Sequence, residues 1–308
     1  MSSIGNAGSR GAPLRAASDG LPEMDAQIQV QHASISRAQP SAMSRARLLI
    51  REKARNLARL ICWRTLEPRI TLSSGITVTL KSESDWEIAN EVFLRHDYDD
   101  PIDRAFLCQD GTEPIRVLDL GANVGFFSLR CIDRYAGAPR QSHSLELFAV
   151  EGSPSVSAEL EKSLSIYRGS AGISVNVTQG LIGRRSGKGM IYSSLFHSCT
   201  NTVVPHGGKT SKNILLGRHA EGSKYLDLDE LIPAPRPVDL IKCDIEGSEL
   251  EFLQNYESLL RRARLLVIEL HPLQCDVSAC REILSAYGFR KERTIKCLPT
   301  HSLEVYGR

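Results

Sequence analysis

A short glycine-containing segment of the chain has the composition of a ligand-binding turn. Asp119-Leu-Gly121-Ala-Asn123-Val-Gly125 follows an apolar run and precedes a helical pattern. Glycine lets the backbone turn tightly and approach a ligand closely, and the first turn of the next helix offers free N–H groups. A dinucleotide-binding turn would have glycine at positions 123 and 126, where this chain has asparagine and phenylalanine. The segment therefore predicts a nucleoside-binding turn and disfavours NAD.

A second acidic residue, Glu151, ends another apolar run, 26 residues after Gly125. A carboxylate at this point can accept hydrogen bonds from both hydroxyls of a ribose, which suits an adenosine ligand without a 2′-phosphate. The alternative is a glutamate that is simply exposed at a strand end. We favour the ligand contact because Glu151 occurs together with the glycine turn.

Three further titratable side chains, Asp244, Glu246 and His271, come directly after two more apolar runs. A carboxylate or an imidazole within hydrogen-bond reach of a hydroxyl group can withdraw its proton. The carboxyl ends of parallel strands meet at one edge of a sheet, so we predict that these three residues lie together as catalytic groups. For His271 the alternative is a strand-end histidine whose ring is satisfied by the backbone.

A divalent metal is a further alternative for the same region. Asp244, Glu246, Glu269 and His271 have the oxygen and nitrogen atoms that such ions take as ligands. Their spacing does not single out a metal site, and we therefore predict none.

Apolar runs alternate with helical patterns from residue 115 onwards, which indicates a buried parallel sheet covered by helices. The predicted strands are Ile115–Leu120, Leu147–Val150, Ile173–Val177, Val238–Cys243 and Leu265–Leu270, and helices are predicted to begin near Phe126, Pro154, Ser248 and Val277. The fold class is thus α/β, with a Rossmann-like, doubly wound and mostly parallel sheet. Ligands of such sheets bind beyond the carboxyl ends of the strands.

The chain before this sheet divides into a tail and a small connecting segment. Residues 1–45 contain no aromatic residue and are predicted to be a disordered tail. Residues 46–83 are predicted to form a basic helix and a β-hairpin over Ile70–Leu80, and residues 84–308 the Rossmann-like domain. Ser84-x-x-Glu87 is the predicted capping box of that domain's first helix. The polar stretch 193–224 is predicted to be an excursion over the site.

The overall composition excludes several classes of protein. Lys and Arg number 38 against 36 Asp and Glu, so the net charge of +2 is too small for a protein that mainly binds nucleic acid. No apolar run is long enough to span a bilayer. The eight cysteines are scattered without zinc spacing, which is typical of reduced thiols, and we predict a cytoplasmic protein of undefined oligomeric state.

Four segments, in order and correctly spaced, resemble the FkbM family of S-adenosylmethionine-dependent methyltransferases. They are residues 117–128, 148–154, 239–253 and 266–271, and the resemblance covers about residues 84 to 290. The Lys242-x-Asp-x-Glu-Gly-x-Glu249 block is the most specific, because other Rossmann-like methyltransferases lack it. The chain departs from the family at Gly152, where proline is usual.

The resemblance implies a class I methyltransferase fold with S-adenosyl-L-methionine as the cofactor. It implies that the cofactor is bound by the glycine turn and the acid after the second strand, namely Asp119, Gly121, Asn123, Gly125 and Glu151. Asp244 and Glu246 have two alternatives to proton transfer, which are capping of the next helix and contact with the amino group of the cofactor.

The predicted function is therefore methyl transfer, most specifically O-methylation of a hydroxyl on a saccharide, a glycolipid or another small metabolite. The alternative is a non-catalytic, Rossmann-like nucleoside-binding module, and an NAD dehydrogenase is a distant third. The complete set of glycines and acids favours the enzyme. Acceptor identity is not predicted, because variable segments of such folds select the acceptor.

Overall fold

The computed structural model describes residues 61–63, 65–107, 113–138, 143–194, 202–205, 218–232 and 234–308. The predicted tail and most of the predicted basic helix lie outside these residues. The strands are β1 Arg69–Thr71, β2 Thr77–Thr79, β3 Ile115–Leu120, β4 Leu145–Glu151, β5 Ile173–Gln179, β6 Lys188–Ser194, β7 Thr202–Pro205, β8 Arg218–Lys224, β9 Val238–Cys243, β10 Ala263–Leu270, β11 Arg290–Cys297 and β12 Ser302–Gly307.

The α-helices of the described residues are short and lie between these strands. They are α1 Glu83–Ala89, α2 Asp99–Leu107, α3 Phe126–Gly137, α4 Pro154–Leu164, α5 Leu228–Leu231, α6 Glu249–Asn255, α7 Glu257–Arg262 and α8 Val277–Ala286. A π-helical turn, Asn90–Leu94, continues α1. None of the helices in this part of the chain has the length and hydropathy needed to cross a membrane.

Seven strands form the central sheet in the order β11-β12-β10-β9-β3-β4-β5. The five from β10 to β5 are parallel, whereas β12 runs antiparallel to both β10 and β11. The chain moves outward from β3 to β4 and β5, then returns to place β9 on the other side of β3. The crevice between β3 and β9 is therefore the point at which a doubly wound sheet binds its ligand.

Side chains of the parallel strands alternate between two apolar layers, one on each face of the sheet. Val117 and Leu240 belong to the layer covered by α3 and α4, and their neighbours Leu118 and Ile241 belong to the layer covered by α6 and α8. Both layers are buried, which explains why these strands are mostly apolar in the sequence, and their few charged residues, such as Arg116 and Asp239, are buried with partners. The predicted Rossmann-like sheet is confirmed, and so are its five strands.

The first helix begins at a different cap from the one predicted. The hydroxyl of Ser82, not that of Ser84, accepts a hydrogen bond from the N–H of Asp85 at 3.0 Å. The Asp85 carboxylate in turn accepts from Lys81 N, the residue before the N-cap, at 2.7 Å, so the helix begins two residues earlier than predicted with a variant of the capping box. Ser84 itself is buried. Two serines at this spacing make the motif ambiguous in the sequence, and burial decides between them.

Two parts of the fold were not predicted as strands. The polar excursion contributes β7 and β8 to a three-stranded antiparallel sheet with β6 in the order β7-β6-β8. The β11–β12 hairpin closes one edge of the central sheet, and every residue of β11 is exposed or half-buried. An edge strand buries little surface, so β11 has no continuous apolar run to reveal it.

Candidate active site

The glycine turn after β3 lies against the end of β9. Gly121 has a φ of +75°, and a Cβ at this position would overlap the backbone carbonyl oxygen of Asp244. Gly125, at φ +92°, is the N-cap of α3, and a Cβ there would lie 2.8 Å from Leu160 Cδ1. Asn123 also has a positive φ, of 50°. The two glycines are thus required both by their backbone conformation and by the close approach of neighbouring elements.

Glu151, the last residue of β4, holds the glycine turn through its carboxylate. One oxygen accepts a hydrogen bond from Asn123 N at 2.9 Å and the other from Ser153 N at 2.8 Å. Burial raises the pKa of Glu151, and these two N–H groups oppose that shift. The sequence predicted a ribose contact for this side chain, and the structure adds a second role in ordering the turn.

Asp119 lies behind the turn rather than facing the ligand side. It is fully buried, its Oδ2 accepts from Ser128 Oγ at 2.7 Å, and its Oδ1 is 3.5 Å from Lys242 Nζ. Lys242 also donates to the carbonyl oxygen of Gly121 at 2.6 Å. Burial disfavours the charged form of Lys242, but Asp244 and Asp119 outweigh it and raise its pKa. Asp119 and Lys242 therefore stabilise the turn from its buried side.

A cavity of about 510 Å³ opens above the turn at the carboxyl ends of the parallel strands. Six of the eight predicted site residues line it, and Asp119 and Gly125 do not. The lining members of the set are Gly121, Asn123, Glu151, Asp244, Glu246 and His271. The structure thus brings the predicted cofactor-binding residues and the predicted catalytic residues to one cavity.

His271 is the centre of a carboxylate cluster on one wall of this cavity. Its Nδ1 donates to Glu249 Oε1 at 2.8 Å, and its Nε2 lies 3.5 Å from Glu269 Oε1 and 3.7 Å from Glu246 Oε2. Burial disfavours the charged ring, but the hydrogen bonds to Glu249 and Glu269 outweigh it and raise the pKa of His271 to about 11. The ring is therefore partnered by side chains, not by the backbone.

Asp244 and Glu246 extend the cluster toward the glycine turn. Burial raises the pKa of both carboxyls, and that of Glu246 rises well above its ordinary value. Glu246 has a φ of 53°, a left-handed conformation that costs roughly 1–3 kcal/mol in a residue other than glycine. Neither carboxylate is the N-cap of α6, which is Ser248. This local strain directs the segment after β9 into the cavity.

Several residues in the cavity wall, or in contact with it from behind, were not predicted as site residues. Glu249 was visible as the last acid of the Lys242–Glu249 block, but only the structure places it on His271. Lys296 and His301 come from the unpredicted β11–β12 hairpin. Lys296 pairs with Glu91 of the segment that continues α1, at 2.5 Å, and both residues line the cavity. No sequence signal identified these contributors, because they are distant along the chain and polar.

The sheet order and the glycine turn define a class I methyltransferase, a Rossmann-like enzyme class. A family model described as the methyltransferase FkbM domain matches residues 119–291, which is more than half of the chain. The chain therefore belongs to the FkbM methyltransferase family, as its motifs predicted, and its cofactor is S-adenosyl-L-methionine. No curated protein sequence matches the chain.

Several solved structures are similar to parts of this chain, at low sequence identity and with TM-scores below 0.5. The ribosomal protein L11 methylase of Lactobacillus delbrueckii subsp. bulgaricus is 14% identical over 70% of this chain and 78% of its own, with a TM-score of 0.36. Aeropyrum pernix fibrillarin, solved with S-adenosyl-L-methionine, is 12% identical over 67% and 73% with a TM-score of 0.34. M. capricolum TrmK, solved with S-adenosyl-homocysteine, is 9% identical over 68% and 67% with a TM-score of 0.36.

Proposed function

We propose that this methyltransferase transfers the methyl group to a hydroxyl oxygen of a small acceptor. The observation that carries the proposal is the meeting of two sets of groups in one cavity. The turn residues Gly121 and Asn123 form one side, and the Asp244, Glu246 and His271 side chains form the other. A hydroxyl group is a poor nucleophile until its proton is withdrawn, and this cluster supplies proton acceptors within the same cavity.

The residues present fit S-adenosylmethionine on the cofactor side of the cavity. Gly121 of the turn lines the cavity, and Glu151 offers a carboxylate beside the turn. Leu181, Ile182 and Ile191 add apolar surface for a flat aromatic ring. When bound, the cofactor supplies a methyl group on a positively charged sulfur.

The work of the chain itself is then to align the acceptor and receive its proton. Alignment of the attacking oxygen with the methyl group provides much of the rate of such a displacement. Asp244 stands next to the turn, since its backbone N–H donates to Leu120 O at 3.0 Å and its carbonyl faces Gly121. The carboxylates of Asp244 and Glu246 are therefore the proposed proton acceptors. His271, the alternative acceptor that the sequence predicted, is the weaker candidate, because its raised pKa of about 11 keeps the ring protonated at neutral pH.

We further propose that the acceptor is a saccharide, a glycolipid or another small hydroxylated metabolite, and that the reaction takes place in the cytoplasm. The cavity volume of about 510 Å³ suits the cofactor together with one sugar-sized group. The cysteines of the described residues are free, as expected where thiols stay reduced.

The test begins with calorimetric titration of S-adenosylhomocysteine into the full chain. It continues with transfer of a tritiated methyl group to fractionated cell metabolites. The labelled product is then treated with mild alkali and with strong acid. A methyl ether survives the alkali, whereas a carboxyl methyl ester releases methanol, so alkali-labile label would contradict the proposal. Cofactor binding without any transfer would support the non-catalytic binding module instead.

Three variants assign the proton acceptor once an acceptor is known. Asp244→Asn, Glu246→Gln and His271→Ala are compared for turnover and for cofactor affinity. Loss of the acceptor is expected to lower turnover by roughly 10²–10⁴-fold with cofactor binding near normal. A loss of cofactor binding in Asp244→Asn would instead make that residue a cofactor contact. Normal turnover in all three would contradict the site assignment.

A further inference from the structure

The cluster around His271 contains two acidic side chains and an imidazole that converge on one point. Asp244, Glu269 and His271 each offer one ligand atom, and these atoms all lie within 4.8 Å of one another. Two ligand atoms on opposite sides of a metal ion with bonds of ~2.1 Å are about 4.2 Å apart. Only one pair of the three can lie on opposite sides of an ion, and ligand atoms at right angles are about 3 Å apart, so a separation of 4.8 Å would have to shorten by about 0.6 Å or more for one ion to bind all three.

Polar atoms at this point lack the partners that burial demands. Asp244 Oδ1 is buried and accepts no hydrogen bond from the described residues, and His301 Nε2 is buried without one as well. His301 Nε2 lies 3.6 Å from Glu269 Oε1. Buried polar atoms are nearly always satisfied in native proteins, and an ion bound between Asp244 and Glu269 would supply the partner that Asp244 Oδ1 lacks.

The histidines are oriented as metal-binding histidines are. A metal-ligating imidazole almost always donates its second ring nitrogen to a carboxylate, a carbonyl or water, which fixes the ring and its tautomer. Nδ1 of His271 donates to the fully buried Glu249, so Nε2 is the nitrogen that faces Asp244 and Glu269. Nδ1 of His301 is likewise engaged, by Thr300 Oγ1 at 3.0 Å.

We propose that Asp244, Glu269 and His271 bind a divalent cation of the Mn²⁺ type. Two carboxylates are ligands that Mg²⁺ and Mn²⁺ take, and the imidazole favours a first-row transition ion over Mg²⁺. His301 stands beside the site, and Glu249 is a positioning residue that acts through His271. The sequence predicted no metal because these ligands come from the ends of β9 and β10, and their spacing along the chain matches no metal motif.

The ion has a defined task, and this part of the inference rests on the proposed function. The site lies in the wall of the cavity that contains the glycine turn. A cation there is able to bind the acceptor hydroxyl and lower its pKa.

The test measures Mn²⁺ binding directly, by the loss of the free-ion electron paramagnetic resonance signal on titration into the full chain. One tightly bound ion per chain is expected. Asp244→Asn, Glu269→Gln and His271→Ala are each expected to weaken binding by more than 100-fold. Glu249→Gln, which removes only the orienting contact, is expected to weaken it by roughly 10–100-fold. Circular dichroism and S-adenosylhomocysteine affinity report whether each variant is folded.

The matched control is Glu91→Gln, which removes one carboxylate from the same cavity but outside the cluster. It is expected to bind Mn²⁺ like the unaltered chain. Absence of Mn²⁺ binding to the unaltered chain, or equal loss in Glu91→Gln, would overturn the proposal. If Mn²⁺ binds at these residues but methyl transfer persists in excess chelator, the site stands and its catalytic task is refuted. If Mn²⁺ binds and no hydroxyl acceptor is methylated, the proposed function fails while the site stands.

Discussion

Lys242 Nζ donates a hydrogen bond to the carbonyl oxygen of Gly121 at 2.6 Å, which ties β9 to the turn that follows β3. The two strands are paired in register with Lys242 opposite Asp119, so the lysine sits between that buried carboxylate and the turn. The first residue of the Lys242–Glu249 block therefore stabilises the cofactor-binding turn through these contacts.

Replacement of Lys242 should weaken cofactor binding and also lower the stability of the domain. Lys242→Met removes a hydrogen bond from a charged donor, worth ~1.5–3 kcal/mol, so affinity for S-adenosylhomocysteine should fall by about 10–100-fold. It also leaves Asp119 buried without its cation, which costs stability. Calorimetry and thermal unfolding measure the two effects.

A control variant and a double variant test whether Lys242 and Asp119 act as a pair. Lys188→Met removes an exposed lysine of β6 and should change neither quantity. Adding Asp119→Asn to Lys242→Met should recover part of the lost stability, because the unpaired buried charge is gone. Additive losses in the double variant would show that the two side chains do not interact.

Gly121→Ala should abolish cofactor binding and destabilise the domain by about 2 kcal/mol or more. The new Cβ would overlap the Asp244 carbonyl, and the φ of +75° is strained for alanine. Gly137→Ala is the control, since a Cβ there meets no atom within 4 Å. Denaturant unfolding and cofactor titration check both variants. Near-normal affinity in Gly121→Ala would contradict the close packing of the turn on β9.

Glu151→Ala should weaken S-adenosylmethionine binding by roughly 2–4 kcal/mol, from the loss of ribose hydrogen bonds to a charged group. The loss has a second source, because the same carboxylate holds Asn123 N and Ser153 N. Glu151→Gln keeps one acceptor oxygen, so its affinity for the cofactor should lie between that of the unaltered chain and that of Glu151→Ala. Isothermal titration measures the series, and an unchanged affinity in Glu151→Ala would remove this residue from the cofactor site.

Glu304→Gln should reduce stability at neutral pH and much less in acid. Glu304 of β12 is fully buried, and although burial opposes its charge, Arg281 and Lys291 lower its pKa from 4.5 to about 2. A carboxyl with a lowered folded-state pKa stabilises the fold above its unfolded pKa and loses that contribution as the pH falls toward the folded value. The expected difference is about 2–3 kcal/mol at pH 7, shrinking below about pH 4.5.

Denaturant titrations of the two proteins between pH 7 and pH 3 measure this difference. Glu282→Gln, a replacement on the outward side of α8, should show no pH-dependent loss. A stability difference between wild type and Glu304→Gln that is constant across this range would contradict the ion-pair explanation.

The amino-acid sequence alone determined the parallel strands of the core and the glycine turn between β3 and α3. Strands such as β3 and β9 are buried on both faces, so they must be mostly apolar, and polar residues that a ligand needs follow their carboxyl ends. Glycine at 121 and 125 is likewise a local requirement of backbone conformation. These features depend on neighbours in sequence, and the predicted turn and strands were accordingly found.

Only the tertiary structure decided which polar side chains meet. Asp119 looked like a ligand contact, but burial by α3 and Lys242 turns it into a support behind the turn. Glu249, His271 and His301 converge through long-range packing of α6, β10 and an edge hairpin whose first strand is polar. Such contacts leave no periodic signal in the sequence, because each residue fits the helix or strand to which it belongs. Its role in the site depends instead on residues that are distant along the chain and close in the folded structure.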